Sequence, residues 1–283
     1  MVFNQNNDFN SYTKEQKKVL DLEKKYFNIL FKIFSHQNFG DELRAIMNDI
    51  NSDWKREHEF WGKANVVELA VERHINYIIY NDSSLKNIIQ SIYPSVISSD
   101  TAFVTNDAVI NIDSKTISVS GNKNDWTRQT VGCNQTSFDN KLNFFSKTKN
   151  LSVPITSLLK SYHKSKPVLS FFLSTLYYSD DKNQKDSWYL DSKYKNKPYY
   201  SDKTKDKTIV KEIFLKNIKF SCMPHNELSS LFEYNIIAGV KSYKPPDVPK
   251  PTGTDSVRVE HENLKHRYDS NGDYWEGLKL WTI

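Results

Sequence analysis

Asp100, Asp113 and Lys115 are the residues of this chain whose types and spacing could do chemistry together. They lie in "SSDTAFVTNDAVINIDSKTISVSGNKNDW", which runs from Ser98 to Trp126. Two apolar runs, "TAFV" and "AVINI", flank "TND". Asn and Asp tolerate left-handed backbone, so "TND" predicts a tight turn between two antiparallel strands. With Asn106 and Asp107 in the loop, Thr105 faces Ala108, Phe103 faces Ile110, and Asp100 faces Asp113. Directly opposed residues hold their Cβ atoms roughly 4.5–5.5 Å apart. Two carboxylates that close repel, and a divalent cation between them removes the repulsion. Lys115 lies two residues beyond Asp113 and so points to the same side. Ile110, Ile112 and Ser114 point to the other side, toward a core. Asp107 sits too near Asp113 in sequence for the hairpin to bring the two together, which leaves it as a turn former.

The chemistry that wants this trio is phosphodiester hydrolysis. Mg²⁺ prefers oxygen ligands and keeps several of its waters. Two aspartates can hold it while it also binds a phosphate oxygen, activates a water and neutralises developing charge. A lysine on the same side can orient that water or stabilise that charge. The plainer alternative is a surface hairpin with a solvated acid–lysine pair.

These residues need elements to position them. Thr13 and Gln16 form a capping-box pattern. After it, Val19, Leu20, Leu22, Tyr26, Phe27, Ile29, Leu30, Ile33 and Phe34 recur at helical spacing toward Gly40. "DELRAIMNDINSDWKREHEFW" and "NVVELAVERHINYIIY" predict a second and a third helix, the third with Val67, Ala70, Val71, His74, Ile75 and Ile78 on its apolar side. "PVLSFFLSTLYY" and "TIVKEIFLKNI" read as strands, and "NELSSLFEYNII" as a helix. Helices followed by mixed strands and helices give an α/β or α+β class.

Composition narrows the function. The 283 residues are 38% hydrophobic and 13% aromatic, enough for a sizeable core. With 8 glycines there is neither G-x-x-x-x-G-K-[ST] nor G-x-G-x-x-G, which argues against a nucleotide-binding enzyme. Cys133 and Cys222 form no CxxC pair or zinc spacing and read as reduced thiols. No signal peptide or long apolar run is evident, so a cytoplasmic protein without membrane partners is expected. The net charge of +5 is compatible with an acidic partner without requiring one.

The hairpin and its sequel resemble a known family. Asp100 followed by Asp113-Ser-Lys115 is similar to the PD-(D/E)xK nuclease motif. "NIDSKT", then "NKND", then "TVGCNQTSF" resembles the EcoRV-like branch of type II restriction endonucleases. The resemblance covers about Asn65 to Pro154. Ser99 stands where the motif has proline; that position is not chemical, so the departure bears on which aspartate comes first rather than on the class. The resemblance implies a restriction-endonuclease-like fold, a central mixed β-sheet flanked by helices. It implies Mg²⁺ held by Asp100, Asp113, the Ser114 backbone carbonyl and Glu68, with Lys115 beside them. Glu72 shares a helix face with Glu68, but an ion pair with Arg73 or Lys63, or plain solvation, is the reading preferred for it. His74, on the apolar side, is expected to be packed rather than to act as a base.

The loop after the hairpin offers DNA contacts in Asn122, Lys123, Asn124, Arg128, Asn134, Gln135, Thr136 and Ser137. Asn and Gln suit adenine edges and Arg suits guanine, while Thr and Ser hydroxyls suit phosphate. Residues 180–207 carry eight lysines interleaved with Trp188, Tyr189, Tyr194, Tyr199 and Tyr200, and read as a DNA-binding arm. The chain is thus expected to form one nuclease domain over 1–283. Residues 1–64 form a helical N-terminal region suited to dimerisation, 65–178 the catalytic core, and 243–256 a Pro-rich linker to the C-terminal tail. The expected activity is that of a homodimeric type II restriction endonuclease cutting double-stranded DNA to 5′-phosphate and 3′-hydroxyl ends, with a cognate methyltransferase acting on the same site. A repair or structure-specific nuclease, or a non-catalytic DNA-binding protein, is the alternative.

Overall fold

The computed structural model describes residues 8–52, 66–93, 100–119, 126–132, 162–179, 213–231 and 256–283. The arm at 180–207, most of the Pro-rich linker and Cys133 lie outside the described residues.

Helix α1 (Lys14–Phe34) starts where the sequence predicts it. Thr13 Oγ1 accepts from the Gln16 N–H at 3.1 Å, and the Gln16 side chain accepts from the Thr13 N–H at 2.9 Å. This reciprocal pair satisfies two backbone donors that a helix start otherwise leaves open. One face of α1 buries Val19, Leu20, Tyr26, Phe27, Leu30 and Phe34. Helix α2 (Gln37–Ser52) buries Phe39, Leu43, Met47 and Ile50, and α3 spans Val66–Asn81. A single turn, α4 (Ser83–Lys86), is capped by Asp82.

The strands form a mixed sheet of order β1-β2-β3-β6-β7-β11, with β5 pairing off β6. They are β1 (Ser91–Tyr93), β2 (Thr101–Val104), β3 (Val109–Ser118), β5 (Tyr162–His163), β6 (Lys166–Ser179), β7 (Ile213–Met223) and β11 (Leu278–Thr282). β3 and β6 run parallel; the other pairs are antiparallel. The central mixed sheet with flanking helices expected from the sequence is the observed architecture. A separate ribbon pairs β4 (Arg128–Gly132) with β8 (Ser256–Glu260). A short helix, α5 (Glu262–Lys265), precedes the hairpin of β9 (His266–Tyr268) and β10 (Tyr274–Glu276). The stretch expected to be helical after β7 is a 3-10 helix over Asn226–Leu231.

Side chains alternate across a strand, so the sheet has two unlike sides. On one, Ile112, Phe171 and Phe220 meet the helices, with Phe220 stacked on Phe27 at 5.0 Å and edge-on to Phe34 at 5.4 Å. On the other, Asn111, Asp113, Ser170, Ser174, Lys219 and Ser221 are buried polar residues. A fully buried pair, Glu23 with Arg267, ties α1 to the C-terminal hairpin, and the Arg267 guanidinium lies over the Trp275 ring at 5.1 Å.

Candidate active site

The site begins at the β2–β3 turn. Thr105 N–H donates to the Ala108 carbonyl at 2.9 Å, closing the turn over Asn106 and Asp107. Asp107 anchors the turn to α1: Lys25 Nζ reaches its Oδ2 at 2.6 Å, and the Tyr26 hydroxyl bonds both its Oδ1 and Thr105 Oγ1. Lys25 and the two hydroxyls hold the Asp107 carboxyl below its ordinary range, against the effect of burial. This is a structural acid, in line with its turn-former reading.

Thr101 pairs with Ile112, and Phe103 with Ile110. The ladder ends at the Thr101–Ile112 pair, and Asp100 lies one residue beyond it. Asp100 Oδ2 accepts from the Ser114 backbone N–H at 2.6 Å, and Asp113 is ion-paired to Lys115. Asp113 is 3% exposed. Burial outweighs the lysine, so both carboxyls are pushed above their ordinary range, and the Asp100 charge pushes Asp113 further in the same direction.

Helix α3 adds two more acids. Glu68 is raised by burial and by Asp100, while Lys115 opposes the shift. Glu72 is raised to about 7, first by burial and then by the charges of Asp100, Glu68 and Asp113. Glu72 is partly buried and feels the charges of the same acidic residues. The four-residue spacing of Glu68 and Glu72 carries that signal, but only the packing of α3 against β2 and β3 shows which way the shared face points. His74 behaves as expected. It is buried, with Nε2 at 3.3 Å from the Phe39 carbonyl and its ring 4.8 Å from the Phe39 ring.

Four carboxylates around a single lysine leave an excess of negative charge, and like charges crowded together each resist ionisation. Such a donor set fits a hard divalent cation, all oxygen and no thiolate or imidazole. Among the described residues, no three His, Cys, Asp or Glu side chains are grouped closely enough to hold a metal ion by themselves.

Of the expected DNA contacts, Arg128 is described. It stands at the start of β4 with its Nε 2.5 Å from Glu260 Oε1 across the ribbon. Asn122, Lys123, Asn124, Asn134, Gln135, Thr136 and Ser137 lie outside the described residues.

Residues 10–183 match the family model described as the N-terminal domain of the type II restriction enzyme MwoI. The chain belongs to this restriction-enzyme family. It is a site-specific DNA endonuclease by that membership. The fold is similar to that of the restriction endonuclease BglI, solved bound to its DNA recognition sequence, at a TM-score of 0.53 and 14% identity over 95% of this chain and 92% of that one. No curated protein matches. The restriction-enzyme match takes in the hairpin, α3 and the acidic cluster together. Among the described residues, no helix is long and apolar enough to cross a membrane.

Proposed function

We propose that this restriction enzyme hydrolyses double-stranded DNA with Mg²⁺ at the acidic cluster, leaving 5′-phosphate and 3′-hydroxyl ends. The observation that carries the proposal is the Asp100 carboxylate bonded to the Ser114 N–H, next to an Asp113 that is ion-paired to Lys115. Asp100, Asp113, Glu68 and the Ser114 carbonyl would hold the ion. Once bound, such an ion would supply polarisation of the scissile phosphate and a lowered pKa for water. Lys115 then has two tasks. Its ammonium orients the attacking water in line with the bond to the 3′ oxygen, and it offsets negative charge that grows on the phosphate. Asp113 fixes the lysine head through their ion pair. Glu72 would take the proton that the water loses as its oxygen bonds to phosphorus. The bond that breaks is the one from phosphorus to the 3′ oxygen, which takes up a proton from solvent water and leaves as the hydroxyl.

The enzyme acts as a homodimer, because two-fold protein symmetry matches a palindromic site with one cluster per strand. The resemblance of its strands supports the EcoRV-like branch. Arg128, with the polar residues at 122–124 and 134–137, contacts the duplex, and a cognate methyltransferase in the same cytoplasm protects host DNA. Incubating plasmid with the protein and Mg²⁺ tests this. Discrete bands that vanish in Asp113→Ala, while DNA binding persists, support it. A fully active Asp113→Ala variant sinks the site assignment. Smearing, or nicking only at junctions, favours a repair or structure-specific nuclease.

A further inference from the structure

Lys219 is a buried charge that the cleavage chemistry does not use. It lies on β7, 5% exposed. The register carries it into the row of the catalytic lysine: Lys115 pairs with Ser174 on β6, and Ser174 pairs with Lys219 on β7. Neighbouring strands are about 4.8 Å apart, so the two lysines stand about 10 Å apart along one row, on the same side of the sheet. Lys115 turns to Asp113. Lys219 turns outward, to the ribbon.

Its contacts there are specific. The ammonium donates to the Trp126 carbonyl oxygen and lies 3.8 Å from the centroid of the Trp126 ring. It is also 3.1 Å from His261 Nδ1. Burial first, and the Lys219 charge second, push His261 down to about 3, so its ring is neutral and Nδ1 can accept. Burial also lowers Lys219 itself to about 7. The row is continued by Gln129, whose Oε1 accepts from Ser221 Oγ at 3.1 Å and Ser174 Oγ at 3.5 Å. Trp126 and Gln129 flank Arg128, and His261 directly follows β8. Every one of these bonds joins the catalytic sheet to the β4–β8 ribbon or its immediate flanks.

A buried lysine is expensive to desolvate, and an apolar side chain of similar length would fill the site without that penalty. What the lysine adds is direction: a carbonyl, a ring face and an imidazole nitrogen must all converge on one ammonium. We infer that Lys219 is a positioning residue that docks the β4–β8 ribbon on the catalytic side of the sheet, and so fixes Arg128 relative to Asp113 and Lys115 when DNA binds. The part concerning DNA rests on the nuclease reading above. The docking does not.

The test uses the full chain carrying Lys219→Met, which keeps length and apolar volume and removes the ammonium. Hydrogen–deuterium exchange is followed in peptides covering 126–132 and 256–261, with 109–118 as the internal reference. Exchange in the ribbon should rise at least fivefold while the reference stays within twofold, which also shows that the variant is folded. Steady-state plasmid cleavage with Mg²⁺ should show KM raised at least fivefold and kcat within twofold. A purely structural lysine would lower thermal stability and leave KM alone, and that outcome overturns the positioning role. A fall in kcat at constant KM overturns it as well. Unchanged exchange in the ribbon overturns the docking. Ser221→Ala, a milder change one row away on the same side of the sheet, should raise ribbon exchange about twofold, and no rise there counts against the docking too. A wild-type chain that cuts no plasmid refutes the nuclease reading, while the exchange experiment still decides the docking.

Discussion

The two sides of the central sheet are made by the same strands and follow opposite rules. Under the helices, Ile112, Phe171 and Phe220 are packed by shape, and Phe220 alone meets Phe27, Phe34 and Phe171 at ring distances of 5.0 to 5.7 Å. On the other side, Asp113, Ser174, Lys219 and Ser221 are nearly as buried, yet they are polar. Burying polar groups costs free energy unless partners meet them. The first side stabilises the fold. The second carries buried charge that a cation, a DNA backbone or a neighbouring ribbon can use.

Substitutions on the two sides should therefore separate activity from stability. Asp113→Ala should reduce Mg²⁺-dependent cleavage by about 10³-fold or more and leave the urea midpoint of the metal-free protein unchanged or raised. A lowered midpoint would mean that the carboxylate supports the fold. Phe220→Ala should do the reverse, lowering stability by about 3–5 kcal/mol with kcat unchanged well below the unfolding temperature. A smaller loss would show that the ring cluster closes over the gap.

Titration sharpens the contrast. Asp113 and Glu72 have their carboxyls raised by burial, so between about pH 4 and about 7 the native state binds more protons than the unfolded chain. Their stabilising contribution is present at the acid end of that window and is lost as the pH rises through it, by up to about 1.4 kcal/mol per pH unit for the buried Asp113 and by less for the partly exposed, solvent-screened Glu72. Asp107 and Asp269, lowered by their ion pairs, have the opposite sign and lose stability on acidification. Urea titrations of metal-free protein should show the fall toward neutrality. It should be shallower in Asp113→Asn and unchanged in slope in Phe220→Ala. The smallest effect expected is for Tyr26→Phe, which removes one hydroxyl from the turn anchor and should lower stability by about 1 kcal/mol, read as a shift in urea midpoint.

The hairpin was legible in the sequence because its determinants are local. Asn106 and Asp107 set the turn, the turn sets the register, and the register leaves Asp100 one residue beyond Thr101, bonded to the Ser114 N–H. The helices α1 and α3 were legible from a cap and from apolar spacing. The Lys219 row was not. β7 joins β3 only through β6, across a parallel pairing that no local pattern announces, and "NIKFSC" reads as an ordinary alternating strand. Nor does anything in "TRQTV" show that Gln129 points inward to two serines rather than outward to DNA. Glu72 fell between these cases, since its helix face was readable and the object it faces was not.

The anchored turn has a further consequence, for fidelity of assembly. A slip of one residue in β2–β3 would invert every side chain of the hairpin. Asp113 and Lys115 would enter the aromatic layer, and Ile112 would take the place of the acid. Lys25 and Tyr26 hold Asp107 from a helix outside the hairpin, so the slipped form would lose that clamp as well as its packing. A misaligned chain is thereby both inert toward DNA and poorly stable. In a protein whose work is cutting DNA, one carboxylate in a turn makes the correctly folded molecule the one that persists.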